Sequence, residues 1–256
     1  MLFDTHSHMD DERFDADRDA LLEQIHTGGV GYIVNPGADL ESSARAVELA
    51  HRYSYIYAAV GVHPHDTDAM DEEKIAALRA WAKDDRVVAI GEIGLDYYYD
   101  NSDREAQRYW FERQLELACE VGLPVIIHDR DAHGDCMEIL KKGGVERCGG
   151  VMHCYSGSVE MAKEVLGLGM YISIAGPVTF QNSAKLPEVA AMVPQDRLLI
   201  ETDSPYLTPE PYRGQRNHSG HVALVAQKIA QIRGMTVEEA ARITAENAKR
   251  LFQITT

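Results

Sequence analysis

Short runs of apolar residues recur along the chain at intervals of about 30 residues and alternate with stretches of helical periodicity. Runs such as VVAI, PVII and RLLI are continuously apolar, which is typical of parallel strands that are buried on both faces. We therefore predict eight strands, at residues 2–8, 31–37, 55–65, 87–97, 124–130, 150–156, 171–177 and 197–207.

Amphipathic stretches between and after these strands predict helices. They cover residues 15–29, 40–54, 71–85 and 103–122 after the first four strands, and residues 221–234 and 237–252 at the end of the chain. Ser102 and Glu105 have the spacing of a capping box at the start of the fourth helix, and Gly122 stands where that helix is expected to end.

Eight strands that alternate with helices favour an α/β fold of the (β/α)8 type, a TIM barrel, as a single domain over residues 1–256. A doubly wound open sheet is the alternative. It would favour a glycine-rich phosphate loop after the first strand, where the sequence reads FDTHSHMDD. The length of 256 residues and the hydrophobic content of 45% suit one large domain with a substantial core.

The composition limits the kinds of molecule and compartment that suit this protein. The net charge of −16 argues against a protein built for tight, non-specific DNA binding, but it allows a small pocket in which cations neutralise phosphate. No apolar run approaches the roughly 20 residues of a transmembrane helix, and the acidic N-terminus has no signal-peptide pattern, so we expect no presequence and no membrane association. Four cysteines without a C-x-x-C pair fit reduced thiols in a cytoplasmic protein.

Histidines are concentrated at the ends of the predicted strands. Six of the eleven lie at or near such ends, and in a barrel those ends meet on one rim. Four of them and three acidic residues predict one metal site: His6, His8, His128, His153, Glu92, Glu201 and Asp203. His6 and His8 alone could be a hydrogen-bonded pair at a strand end. The whole set indicates metal, because buried imidazoles and carboxylates are costly unless cations neutralise them.

The number of candidate ligands favours two divalent ions. The set exceeds the three ligands and one water of a single catalytic zinc, and a carboxylate such as Glu92 can bridge two ions about 3.5–4 Å apart. Mixed nitrogen and oxygen ligands fit Zn²⁺, Mn²⁺, iron or cobalt better than Ca²⁺, and Mg²⁺ stays open although it prefers oxygen.

Six segments together resemble the TatD family of metal-dependent deoxyribonucleases, within the wider amidohydrolase-like barrels. They are FDTHSHMD at 3–10, GVHPH at 61–65, IGEIGLDYY at 90–98, PVIIHDRDA at 124–132, MHCYSG at 152–157 and LIETDSPYL at 199–207. The bridging position holds a glutamate, Glu92, where related amidohydrolases often use a modified lysine, and this difference favours the TatD branch.

The resemblance implies two ion sites that share one ligand. One ion would be held by His6, His8, Glu92 and Asp203, and the other by Glu92, His128 and His153. Asp203 would also act as the general base that takes a proton from the attacking water. Glu201 lies two residues before Asp203 on the same predicted strand face, and whether it contacts an ion stays open.

Contacts to substrate are predicted at four residues: His63, Arg130, Arg213 and Arg216. Two of them, His63 and Arg130, have an alternative. His63 and His65 could belong to a solvated proline turn, Arg130 could pair with Asp129 or Asp131, and the run Tyr97–Tyr99 could either stack on a base or pack at the rim.

The chain departs from the family pattern after the eighth predicted strand. Family members commonly read R-N-x-P there, with Glu after Asn, whereas this sequence continues Asn217, His218, Ser219, Gly220, His221. Substrate handling by this loop is therefore open, and we expect His218 and His221 to lie in an exposed loop.

Three functions are consistent with these residues. The first is a two-metal deoxyribonuclease, a 3′–5′ exonuclease on single-stranded DNA ends, whose polarity comes from the resemblance. The second is ester or amide hydrolysis at the same site, such as D-aminoacyl-tRNA deacylation, although few basic residues are present to hold a tRNA. The third is a non-catalytic metal or partner binder, which the intact ligand set and Asp203 disfavour. No segment indicates an obligate protein partner, so we expect a monomer.

Overall fold

Each predicted apolar run forms one strand of a single parallel sheet in the computed structural model of the protein, which describes residues 1–255. The strands are β1 Leu2–Asp4, β2 Val30–Pro36, β3 Ile56–Val60, β4 Val87–Asp96, β5 Val125–Arg130, β6 Gly150–Met152, β7 Tyr171–Ile174 and β8 Leu198–Ile200. They neighbour one another in chain order from β1 to β8, so the predicted TIM barrel is confirmed.

Helices separate the strands and surround the barrel. They are α1 Arg18–Thr27, α2 Leu40–Arg52, α3 Glu72–Trp81, α4 Arg104–Val121, α5 His133–Gly143, α6 Val159–Gly167, α7 Lys185–Met192, α8 Val222–Arg233 and α9 Val237–Leu251. Helices α5, α6 and α7 complete the alternation in a part of the chain where the sequence pattern predicts no separate helix. Within residues 1–255, no helix combines the length and the apolar character needed to cross a bilayer.

The start of α4 differs from the prediction. Asp103, not Ser102, caps the helix by accepting hydrogen bonds from the backbone N–H groups of Glu105 and Ala106. The Ser102 hydroxyl instead donates to the carbonyl of His65, 2.7 Å away. The predicted end of the helix is confirmed, since Gly122 adopts φ 73°, a left-handed conformation that suits glycine.

Five strands, β1, β3, β6, β7 and β8, end at least three residues earlier than predicted. At β1 and β8, the residues that follow the strand form hydrogen bonds outside a continuous ladder. After β1, the backbone N–H of Ser7 donates to the carbonyl of Val34, and that of His8 donates to the carbonyl of Ser204. The N–H of Asp203, beyond β8, donates to the carbonyl of His6 at 2.9 Å. These bonds close the barrel between its first and last strands.

The barrel interior is apolar over most of its depth. One buried cluster takes residues from the strands and continues into α9: Phe3, Val34, Ala59, Val88, Ala89, Ile126, Val151, Tyr171, Leu199, Ala245, Ala248, Leu251, Phe252 and Ile254. Because successive side chains of a strand alternate between faces, the interior series continues toward the C-terminal ends of the strands. Two positions after Ile126, Val151 and Leu199 stand His128, His153 and Glu201.

Candidate metal centre

Glu92 lies at the centre of four imidazoles. Its Oε2 atom is 3.2 Å from Nε2 of His6 and 3.6 Å from Nε2 of His8. Its Oε1 atom is 2.8 Å from both Nδ1 of His128 and Nε2 of His153. Each oxygen of one carboxylate therefore faces its own pair of histidines, and the pairs come from opposite sides of the barrel.

The charge of this carboxylate depends on those neighbours. Burial alone would raise the pKa of Glu92, but the surrounding imidazoles of His153, His6 and His63 outweigh burial and hold the pKa well below its ordinary value. Burial alone would likewise lower the pKa of His153, whereas Glu92 and Glu201 raise it well above the usual range. The site is thus built to keep carboxylates ionised beside groups that can carry or bind positive charge.

Asp203 completes the half of the site that contains His6 and His8. Its Oδ1 atom is 3.8 Å from Nε2 of each of these histidines. Asp203 adopts φ 55°, in the left-handed region that few residues other than glycine populate. Burial raises the pKa of its carboxyl above the ordinary value, against the opposing charge of the nearby imidazoles.

Two histidines are held in place by contacts on the side of the ring that faces away from Glu92. Nδ1 of His8 lies 3.2 Å from the carbonyl oxygen of Pro36. Nδ1 of His153 lies 3.2 Å from Oε1 of Glu201, which also accepts a hydrogen bond from the backbone N–H of Cys154. Such contacts select the tautomer in which Nε2 offers its lone pair to the centre.

Asp96 supports His128 in the same manner, and its role was missed from the sequence. Its Oδ2 atom lies 3.2 Å from Nε2 of His128 and 2.8 Å from Nε2 of His65. Burial alone would raise the pKa of Asp96, but these hydrogen bonds and the backbone N–H of Tyr99 lower it. The alternation of β4 could have indicated this role, because Asp96 is four positions after Glu92 and shares its face.

Gly94 lets His128 stand between the two carboxylates of β4. It has φ 142°, and a Cβ atom at this position would lie only 1.9 Å from the carbonyl oxygen of His128. A side chain would therefore force β4 and β5 apart. The glycine permits the close approach that places His128 within reach of both Glu92 and Asp96.

His63 lies at the predicted centre, beside the half formed by His128. Its Nε2 atom is 3.7 Å from Oε1 of Glu92, and its ring meets that of His128 edge-on with centroids 4.4 Å apart. Burial lowers the pKa of His63 well below its ordinary value. The alternative of a solvated turn does not describe this residue, since His63 is buried.

The three predicted arginines have different surroundings. The guanidinium of Arg130 lies 4.1 Å from the ring centroid of Tyr98 and 4.6 Å from that of Tyr99. Arg213 covers Phe180 at 4.0 Å. Arg216 forms a two-pronged ion pair with Asp17, with N–O distances of 2.9 and 2.6 Å. Only Arg130 is linked by direct contacts to residues that support the centre, through Tyr99 and His65.

The loop that departs from the family pattern is more buried than expected. The side-chain N–H2 of Asn217 donates to the carbonyls of Thr202 and Tyr206, and the Ser219 hydroxyl lies 2.9 Å from that of Ser7. His218 and His221 are half-buried and stack with ring centroids 4.0 Å apart. The expectation of an exposed loop at these histidines is wrong, because Asn217 anchors the segment to the barrel mouth.

The donor set fits divalent metal ions. Ligand atoms lie within 4.8 Å of one another in three groups at the barrel mouth: His6, His8 and Asp203; His6, His153 and Glu201; and His63, Glu92 and His128. These nitrogen and oxygen donors suit first-row transition ions and Mg²⁺. The buried carboxylates are also costly to desolvate unless cations or hydrogen bonds compensate them.

Comparisons with known proteins agree with this site. The family of TatD related DNases matches residues 3–253. An uncharacterized metal-dependent hydrolase of Bacillus subtilis, YabD, is 49% identical over 254 residues, which cover 99% of this chain and 100% of the relative. The 3′-5′ ssDNA/RNA exonuclease TatD of Cronobacter sakazakii is 36% identical over 256 residues, covering 98% and 97% of the two chains.

A solved structure shows the same architecture. The crystal structure of YJJV, a TatD homolog from Escherichia coli K12, matches with a TM-score of 0.93 and 34% identity, covering 99% of this chain and 98% of the other. The predicted family is therefore confirmed by both sequence and fold. This chain belongs to the TatD family and is a TatD-type metal-dependent hydrolase.

Proposed function

We propose that this protein is a two-metal phosphodiesterase that removes nucleotides from the 3′ end of single-stranded DNA. The observation that carries the proposal is the position of Glu92, whose two oxygens face separate histidine pairs. A carboxylate in this position is suited to bridge two ions. The polarity and the single-stranded substrate are taken from the name of the Cronobacter relative, a 3′-5′ ssDNA/RNA exonuclease.

The ligands divide between the two oxygens of Glu92. On the Oε2 side, His6, His8 and Asp203 would hold one ion. On the Oε1 side, His128 and His153 would hold the other. When bound, such ions supply Lewis acidity and positive charge to a phosphodiester and to the attacking water.

Asp203 is the residue we assign as general base. Its side chain is 15% exposed, whereas those of Glu92 and Glu201 are 4% and 1% exposed. It is therefore the carboxylate of the three that water and substrate reach most readily. Its raised pKa also suits a group that must accept a proton and release it later.

Recognition of the substrate phosphate falls to His63 and Arg130 in this proposal. His63 is beside Glu92 and keeps a pKa well below its ordinary value, so it contacts phosphate as a neutral imidazole. Arg130 supplies a permanent positive charge at the rim. Arg213 and Arg216 are further candidates for backbone contacts, although Arg216 would first have to leave Asp17.

The test uses short single strands labelled at the 5′ end, incubated with the protein and Mg²⁺, Mn²⁺ or Zn²⁺. We expect DNA to shorten one nucleotide at a time, EDTA to abolish cleavage and Asp203→Asn to slow it by about 10² to 10⁴. Asp196→Asn is the matched control, because Asp196 precedes β8 at the opposite end of the barrel. Parallel reactions contain RNA and D-aminoacyl-tRNA. If metal-loaded protein does not cleave DNA but releases the aminoacyl group from D-aminoacyl-tRNA, the protein is an ester hydrolase and not a nuclease.

A further inference from the structure

Exposed apolar side chains are concentrated at the mouth of the barrel. Eight large hydrophobic side chains are exposed within residues 1–255: Met1, Tyr98, Tyr99, Tyr109, Tyr206, Leu207, Tyr212 and Val237. Five of these eight follow β4 or β8, the strands that contribute Glu92 and precede Asp203. Such side chains at the rim of a binding site indicate that something covers them when the site is occupied.

Tyr98 and Tyr99 are anchored to the metal centre through one carboxylate. Their backbone N–H groups donate to Oδ1 of Asp96 at 3.0 and 2.9 Å. The other oxygen of Asp96 contacts His65 and His128, as described above. The two tyrosines are therefore held at a fixed position relative to a metal ligand, although their side chains are 58% and 54% exposed.

The neighbouring Tyr97 has a structural role and serves as a comparison for Tyr98 and Tyr99. The hydroxyl of Tyr97 donates to Asp135 at 2.7 Å, and the guanidinium of Arg104 covers its ring at 4.2 Å. By contrast, in the described part of the chain no hydrogen bond reaches the hydroxyls of Tyr98 and Tyr99. Packing at the rim accounts for Tyr97, but it leaves the exposed rings of the next two residues unexplained.

Arg130 completes this surface. Its guanidinium lies over both rings, and between residues 1 and 255 it forms no ion pair. The predicted alternative, a pair with Asp129 or Asp131, is absent there, and Asp129 instead contacts His133 at 2.9 Å. We call Tyr98, Tyr99 and Arg130 the rim platform.

We propose that the rim platform is a nucleobase-stacking subsite, which seats a base of the single strand beside the metal centre. This inference rests on the proposed nuclease function. Exposed aromatic rings accept any base by stacking, and the unpaired guanidinium can contact an adjacent phosphate. The net charge of −16 gives little overall electrostatic attraction to DNA, so local contacts of this kind add to those at the metal centre in holding the strand.

The experiment measures binding of a 5′-labelled octanucleotide by fluorescence anisotropy in metal-loaded Asp203→Asn protein, which does not consume the ligand. A series of oligonucleotides carries one abasic residue at successive positions from the 3′ end. We expect one position at which loss of the base weakens binding about tenfold. In the double variant Tyr98→Ala/Tyr99→Ala, the intact strand should bind about tenfold more weakly, and the abasic penalty at that position should disappear.

Two further variants separate stacking from folding. Tyr98→Phe/Tyr99→Phe keeps both rings and should bind like the parent, because the hydroxyls have no partner in the described residues. Tyr109→Ala removes a ring that is 52% exposed on α4 and should change nothing. Arg130→Gln should reduce the slope of log Kd against log salt by about one.

The outcomes distinguish the platform from the nuclease itself. If the double alanine variant retains its metal and shows an abasic penalty of the same size as the parent, that result contradicts the stacking role of the rim platform but leaves the nuclease proposal standing. Failure of the parent to bind any single strand, together with absence of cleavage by the unsubstituted protein, overturns both. Loss of binding in the phenylalanine variant would also contradict stacking.

Discussion

The two ends of this barrel are equally buried but chemically opposite. At the N-terminal end, Phe3 packs near Phe252 of the segment after α9, with ring centroids 6.2 Å apart. At the C-terminal end, His6 and Glu92 occupy the interior with similarly low exposure. Apolar burial at the first end stabilises the fold. Burial of ionisable groups at the second end costs stability unless partners or metal ions compensate it.

Because of this difference, the residues that stabilise the fold and the residues assigned to the reaction form two separate groups. Residues that stabilise the barrel and the candidate metal ligands lie on the same strands or directly after them, only a few positions apart. Substitutions at the polar end should therefore change metal binding and rate with little effect on unfolding, and substitutions at the apolar end should do the reverse.

The largest effect on the polar end is expected from Glu92→Gln, which removes the negative charge shared by both histidine pairs. We expect most bound metal to be lost and kcat/KM to fall by at least about a thousandfold, since metal ions supply several kcal/mol of transition-state stabilisation. Metal content measured by mass spectrometry and kinetics on single-stranded DNA check this.

Glu201→Gln is the matched control for that experiment. Glu201 touches His153 from behind and lies farther from the opening. Its loss should weaken metal binding by about ten- to a hundredfold, as expected for a group that orients a ligand. Equal effects of the two substitutions would contradict the central position assigned to Glu92.

Asp203→Asn should separate proton transfer from metal binding. Asp203 is at the edge of the ligand set and is the assigned base, so we expect a rate loss of about 10² to 10⁴ with a smaller loss of metal than in the Glu92 variant. Titration with a competing chelator measures the metal affinity. If this variant lost as much metal as Glu92→Gln, Asp203 would act chiefly as a metal ligand and not as the general base.

At the apolar end, Leu251→Ala should lower the free energy of unfolding by about 2–5 kcal/mol, because it leaves a cavity where α9 closes the barrel. Metal affinity should stay within twofold of the unsubstituted protein. Urea unfolding and chelator titration measure the two quantities. Val237→Ala, an exposed position of the same helix, should change stability by no more than about 0.5 kcal/mol.

The smallest effect is expected from Asp96→Asn, because Asp96 acts through His128, His65 and the tyrosine backbone and not as a metal ligand itself. We expect metal affinity to fall by about tenfold, with unfolding little changed. Asp135→Asn is the control, since Asp135 binds Tyr97 and Arg108 but no metal ligand. Similar metal affinities in the two variants would contradict the proposal that Asp96 supports His128.

The barrel could be predicted because apolar runs and helical periodicity are local properties of the sequence. The clustering of these histidines and carboxylates could be predicted because they recur at strand ends, where a barrel brings distant segments together. Strand lengths could not be predicted at β1 and β8, because His8 and Asp203 pair with loop residues that the pattern does not reveal.

Other features depend on contacts between distant residues. Asp96 can support His128 only because β4 and β5 approach closely at Gly94. The spacing of residues in the sequence does not predict that approach. Arg216 is predicted as a nucleic-acid contact from its place in a polar loop, and that role stays a prediction. Its pairing with Asp17, from the opposite end of the chain, arises only from the closed fold.

The hydrogen bond from Asp203 to the carbonyl of His6 has a consequence for biosynthesis. The ribosome makes His6 and His8 before β2, and it reaches Asp203 only after all eight strands of the barrel have been synthesised. A nascent or truncated chain that ends before β8 therefore carries His6, His8, Glu92, His128 and His153 but lacks Asp203 and its hydrogen bond to His6. We therefore expect hydrolytic activity only after β8 and Asp203 have been added, and we expect chains that terminate before Asp203 to be inactive.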